Sequence, residues 1–528
     1  MRFLFVAAAM LWGLPAAADE WHEAETTHFR ILSSGEEKDL VKFAERLEQF
    51  HTLLRLATGA NDADLDVVKV KVVMVPSVSE AERLSGILNR DVAGFYLPRE
   101  EGAIAVVPRV TQDAIFSGQL VLFHEYAHHF MLQYSPAAYP AWYVEGFAEI
   151  TSTASFERPG AITYGKAASH RTYELFNKRY STANMVDGSY LKEQDGRPWS
   201  YGDAWLVTHY LTFADKRKGQ LRAYLDAINS GQSMKRAATA FGDLSELQRE
   251  VSIYFAGRSF PYRAVPLPAD AAGAVRVRAV PADEAALIES EIELTRRLRL
   301  PARSEDDADD DESAGKPDDG SFADRLAEAK ERRDQWIGQL ETKASATPGS
   351  VHGWRLLADA RCGARQYQAC LAAAERALAV APTDSRATVR KAEALMHLAA
   401  ELPAEQRKAQ VGQARTMAAK VMNAQTDDPV SRFVFYKSYA AEGRKASPVG
   451  IKALVEAVRL VPQVNGPRLT LARELANLGE TDAAKVLLRP LAYAPHGGAA
   501  SARARKMLAK LDEAPGTATS EPEKAGGT

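Results

Sequence analysis

Prolines recur along the last third of this chain at intervals that few folds accommodate. Pro348 and Pro382 are 34 residues apart, Pro429 and Pro462 are 33, and Pro462 and Pro495 are 33. The remaining gap, Pro382 to Pro429, is 47 residues, one period with roughly a dozen extra residues around 401–410. Proline cannot continue a helix, so each one marks the end of a unit. Between them run Ala-rich segments with apolar residues at helical spacing, such as QYQACLAAAERALAVAP over 366–382. Small residues at Ala373 and Ala377 allow two helices to approach closely. A period of this length is one helical hairpin, and hairpins of this kind must stack to bury their apolar faces. Residues 321–505 are therefore expected to form helical repeats, followed by a disordered tail over 506–528.

The chain upstream has a different texture. Residues 301–320 are almost purely charged and small, which cannot bury enough apolar area to offset chain entropy, so a disordered acidic linker is expected there. Before it, residues 19–265 read as one mixed α/β unit, joined to the linker by a strand and helix segment over 266–300. Strand-like alternation occurs at 27–32, 67–75, 93–97 and 103–107. Helical spacing occurs at 36–57, 113–134, 142–150, 201–211, 220–228 and 244–255.

The first eighteen residues combine Arg2, the apolar run FLFVAAAMLWGL and small residues at Ala16, Ala17 and Ala18, the pattern of a cleaved signal peptide. The protein is thus expected to be exported, to a periplasm or beyond the cell. Asp19 rather than cysteine follows the cleavage point, so no lipid anchor is implied. A formal net charge of −3 gives no support for nucleic-acid binding, and no later apolar run is long enough for stable membrane insertion. The two cysteines, Cys362 and Cys370, are eight residues apart. They can bridge adjacent helices or remain two buried thiols, and the second reading is preferred.

Chemistry concentrates at HEYAH, residues 124–128, which sits between VLF and FML in an apolar helical pattern. Residues four apart share one face of an α-helix, so His124 and His128 can aim ring nitrogens at one ion. Glu125 is about 100° round the helix from His124 and can act on water there without ligating the metal. Buried histidine and glutamate are costly to desolvate unless partnered. Downstream, WYVEGFAEI at 142–150 supplies Glu145, seventeen residues after His128, and Glu149 one turn further on.

HEYAH followed by VEGFAE resembles the gluzincins, the thermolysin-like and aminopeptidase-like zinc peptidases. The resemblance implies a Zn2+ ion held by His124, His128 and Glu145, with Glu149 fixing a ligand histidine's tautomer. Three protein ligands leave one coordination position open, as in catalytic rather than structural zinc sites. Glu125 is then the implied general base. YGDAWLVTHYL at 201–211 is similar to a helix-opening segment of the aminopeptidase-like members, which implies Tyr201 as oxyanion stabiliser, with Tyr164 in reserve. The strand at 103–107 is expected to be an edge strand beside the metal helix that pairs with an extended peptide. Aminopeptidases place a glutamate just after a Gly-Ala-Met element there, whereas this chain reads EGAIAVV over 101–107, so an endopeptidase is implied. His129, His170 and His209 are read as structural.

The C-terminal period resembles the tetratricopeptide repeat, with Trp354, Leu357, Ala377 and Pro382 at its marked positions. It departs from that pattern at Ala358 and Arg361, where glycine and tyrosine are usual. Stacked hairpins present a concave surface for a protein substrate or partner. The expected fold is α+β: a thermolysin-like zincin domain, then tetratricopeptide-like repeats. The expected function is an exported zinc endopeptidase whose repeats recruit a protein. The rival is a repeat-based scaffold or assembly factor whose zinc domain has little or no turnover.

Overall fold

Alternating β-branched segments pair into a mixed six-stranded sheet in the computed structural model. It describes residues 20–61, 67–86, 94–109, 118–158, 160–177, 179–192, 199–301, 321–494 and 498–513. The expected signal peptide, all but the first residue of the acidic linker, Pro495 and the tail from residue 514 lie outside the described residues. The strands of this sheet are β1 (His22–Glu25), β2 (Phe29–Ser33), β3 (Val70–Val75), β4 (Phe95–Leu97) and β5 (Ile104–Pro108). A smaller antiparallel sheet holds β6 (Ser155–Arg158), β7 (Ala161–Tyr164) and β8 (Arg263–Pro266), and β9 (Arg276–Ala279) returns to the first. The order of the large sheet is β4-β5-β3-β2-β1-β9, with β2, β3 and β5 parallel and the others antiparallel to their neighbours.

Two expectations change here. The strand at 103–107 is not an edge: β5 is paired on both sides, and the edge is the short strand β4. The cause is the turn at Gly102, whose φ of +118° lets the chain fold back so that β4 bonds outside β5. The α/β unit also does not stop at residue 265, because β9 pairs with β1 along its full length.

Pleating sorts the strand residues to two faces. Ile31, Val72, Ala105 and Val107 face one cluster, while Leu32, Val73, Ile104 and Val106 face the other. The first face is covered by α1 (Glu37–Thr58), and the second by α2 (Val78–Ser85). The metal-motif helix α3 (Gly118–Tyr134) packs on α1 through Phe123, which stacks on Phe50 at 3.9 Å. Then follow α4 (Ala141–Ser152), α5 (Thr172–Asn177), α6 (Thr182–Asp187), α7 (Tyr201–Phe213), α8 (Gln220–Asn229), α9 (Met234–Ala237) and α10 (Leu244–Gly257). The segment 266–300 carries α11 (Ala282–Ala285) and α12 (Ile288–Leu298), whose Ile288 and Ile292 complete the second face of the sheet.

The rest of the described chain is helical: α13 (Ser321–Ala346), then four hairpins and a last helix. The hairpins are α14 (Val351–Gly363) with α15 (Tyr367–Val380), and α16 (Ser385–Leu398) with α17 (Ala404–Ala424). Next come α18 (Pro429–Ala441) with α19 (Pro448–Leu460), and α20 (Asn465–Asn477) with α21 (Thr481–Ala492). The final helix α22 (Ala499–Glu513) runs on past residue 505, where the repeats were expected to end. The extra residues near 401–410 lengthen α17 to 21 residues, against 14 in α15. Trp354 donates its indole N–H to the Pro348 carbonyl at 3.0 Å, and Ala377 is fully buried between helices. Cys362 and Cys370 form a disulfide between α14 and α15, so the reading as two thiols is corrected: the hairpin brings the two residues within bonding reach.

Candidate metal centre

The centre is built by α3 and α4, and a glycine lets α4 pack tightly on α7. α4 begins after Pro140 and lies against both α3 and α7. At Gly146 a Cβ would stand 2.0 Å from the Thr208 hydroxyl oxygen and 2.4 Å from the Ala204 carbonyl oxygen. Only glycine fits, and the contact draws the start of α7 toward Glu145.

His124, His128 and Glu145 converge. Their ligand atoms all lie within 4.8 Å of one another. His124 Nε2 is 3.1 Å from His128 Nε2, and Glu145 Oε2 is 3.3 Å and 3.5 Å from those two nitrogens. Glu145 is fully buried, and both imidazoles are mostly so. Behind them, Glu149 Oε1 sits 3.3 Å from His124 Nδ1, and this carboxylate is fully buried as well. It accepts from His170 Nε2 at 2.7 Å and from Arg171 at 2.6 and 2.9 Å. An Nδ1–H donated to Glu149 leaves His124 Nε2 for the centre.

Charge at the site is tuned by these contacts. Burial disfavours ionised Glu149, but the hydrogen bond from His170 and the charges of His124 and Arg171 hold it at about 2. Glu145 is likewise held below the usual carboxylate range, its burial outweighed by the two histidines. Burial alone would depress His124, yet its hydrogen bond to Glu145 and the charges of Glu149, Glu145 and Glu125 raise it to about 9. Three carboxylates around two imidazoles form a pocket that favours a dication.

Glu125 is half-buried on α3, and its charge is felt at both His124 and Tyr96. Tyr201 opens α7 after the capping serine Ser200, with its ring 6.3 Å from that of His124 and the Arg171 guanidinium 4.6 Å above it. The reserve tyrosine, Tyr164, is buried in β7 beside Phe213. His129 and His209 are structural: His129 bonds Tyr96 at 2.7 Å, and His209 lies between the Gly165 carbonyl and Tyr254. Burial pulls them down to about 3 and about 4. His170 and Arg171, by contrast, act on the centre through Glu149. No local motif marks them, because β6 and β7 lie between them and Glu149 in sequence.

No family model matches the sequence, and no curated protein matches it. Among solved structures, the chain is similar to a thermophilic TPR protein of Thermus thermophilus, at 18% identity and a TM-score of 0.29. That match covers 35% of this chain and 93% of the other. It is also similar to the MamA RS-1 ArsTM double mutant, at 16% identity and a TM-score of 0.24, covering 37% of this chain and 96% of that one. Both TM-scores fall below the level of a shared fold, so the helical-repeat assignment rests on this chain's own hairpins.

Proposed function

We propose that this chain is an exported zinc metallopeptidase of the gluzincin type, cleaving within polypeptides. The observation that carries the reading is the convergence of His124, His128 and Glu145 with Glu149 seated behind His124. Two imidazole nitrogens and one carboxylate oxygen suit Zn2+ and leave one position open. When bound, the ion supplies Lewis acidity at that position. Glu125 takes the proton of the attacking water and delivers it to the leaving amine. The Tyr201 hydroxyl donates a hydrogen bond to the scissile carbonyl oxygen as charge develops on it. Glu149, gripped by His170 and Arg171, holds His124 in the tautomer that presents Nε2. The edge strand β4 offers backbone groups to an extended chain. No acid follows Gly102 and Ala103, where the resemblance implies an amino-terminus grip, which supports internal cleavage. The Cys362–Cys370 disulfide fits an oxidising compartment, and among the described residues no helix is long and apolar enough to cross a membrane.

A second reading, a repeat scaffold with little turnover, draws on the stack of hairpins from α14 to α21. The two separate in one assay: an unstructured polypeptide incubated with the purified protein, with and without chelator. Cleavage that is abolished by chelation, restored by zinc and absent in Glu125→Gln supports the peptidase. No cleavage of any polypeptide by zinc-loaded protein overturns it and leaves the scaffold.

A further inference from the structure

Part of the inner face of the repeats is occupied by the chain itself. α14 packs on α16 and α16 on α18, so the first helices of successive hairpins line one side of the stack. Into that side projects the turn between β4 and β5. Arg390 of α16 donates to Glu101 Oε1 while also holding Asp359 of α14 at 2.7 Å and Glu393 at 2.6 Å. Arg386 pairs with Asp359 at 2.7 Å, and Lys437 of α18 reaches Glu393 at 3.0 Å. From the sheet side, Arg99 bonds the Glu291 carbonyl at 3.2 Å and lies 3.5 Å from Glu101. The side chains of Arg390 and Glu101 are only 9% and 17% exposed. Burial opposes ionised Glu101, but Arg99, Arg390 and Arg386 hold it at about 2. The cystine abuts the same point, each sulfur being 3.8 Å from the Arg390 carbonyl oxygen.

On the far side of this turn, β4 leans on the metal helix through the 2.7 Å bond from Tyr96 to His129. The strand is only three residues long and pairs with β5 alone, with Phe95 and Tyr96 packed on the two core clusters and the Arg99 and Glu101 contacts holding the turn that follows it. We infer that the inner face of the repeats is a carboxylate-gripping groove whose occupant is the chain's own Glu100–Glu101 turn, and that Arg390 is a positioning residue setting edge strand β4 beside Glu125. The role of β4 as substrate strand rests on the peptidase reading; the grip itself does not.

The test uses the full chain and follows backbone hydrogen exchange over 94–104 in Glu101→Gln, Arg390→Gln and the double variant. Each single change speeds exchange in that segment roughly tenfold or more, as loss of a partly buried charge-assisted hydrogen bond implies. The double variant exchanges more slowly than the two single effects combined would give, because the Arg390–Glu101 bond is already lost in each. Zinc content stays at the wild-type level in all three, which separates this inference from the metal assignment. On a cleaved polypeptide, Glu101→Gln raises KM more than it lowers kcat. Unchanged exchange over 94–104 in Glu101→Gln, or additive effects in the double variant, overturns the grip.

Discussion

At the scale of single residues, each acid around the centre has a separate task at one ion. Glu125→Gln keeps the ligands and loses the base, so zinc should be retained while turnover falls by ~10²–10⁴. Metal content and rate on the same sample check this. Glu149→Ala leaves all three ligands but frees the His124 ring, and zinc affinity should weaken ~10–100-fold in a chelator competition. Arg171→Ala should move affinity the same way, since it holds the same carboxylate. The pH dependence follows from His124. Without metal its imidazole is raised to about 9, so the stability it contributes is complete below the ordinary histidine range and fades as pH climbs through about 9. Zinc must displace that proton, so apparent affinity should rise up to ~10-fold per pH unit until about pH 9. A flat profile between neutral pH and that point would remove His124 from the ligand set.

At the scale of elements, local pattern foretold the strands and helices that make their own signal, and missed those defined by a distant partner. α1 carries a run whose period matches the face it buries, while β2, β3 and α3 show themselves by apolar runs that are buried on more than one face. The convergence of His124 with His128 was legible because their spacing is set within one helix, and that of Glu145 because VEGFAE resembles a known motif. β9 was not legible as part of the sheet: RVRA is short and charged, and it belongs there only because β1 lies beside it. The same holds for His170 and for the edge role of β4, which depend on chain topology. Residues 19–265 therefore do not complete the sheet. A chain cut at 265 loses β9 and α12, and it should aggregate where one ending at 301 stays soluble, as sedimentation of the two would show. Ile292→Ala, with its side chain in the core, should cost about 2–5 kcal/mol in denaturant unfolding. Removing the disulfide by Cys362→Ser with Cys370→Ser should cost about 2–3 kcal/mol through the entropy of its short loop.

At the scale of the whole molecule, the repeats and the α/β unit are one working assembly. The repeats touch it at the β4–β5 turn, and again where Gln133 of α3 donates to the Arg459 carbonyl of α19 at 2.9 Å. The concave surface read from the sequence as a place for a partner is, at Arg390, taken up by Glu101 of the chain's own turn. A periodic pattern reveals that an inner face exists, but its occupant is a tertiary fact. On the proposed reading, this assembly works with one metal ion. Elemental analysis of the purified full-length protein after exhaustive dialysis tests it most directly. The expected result is about one zinc per chain, and none in His124→Ala or His128→Ala proteins that remain folded. A wild-type protein without zinc, which takes up none after chelation and refilling, would contradict it.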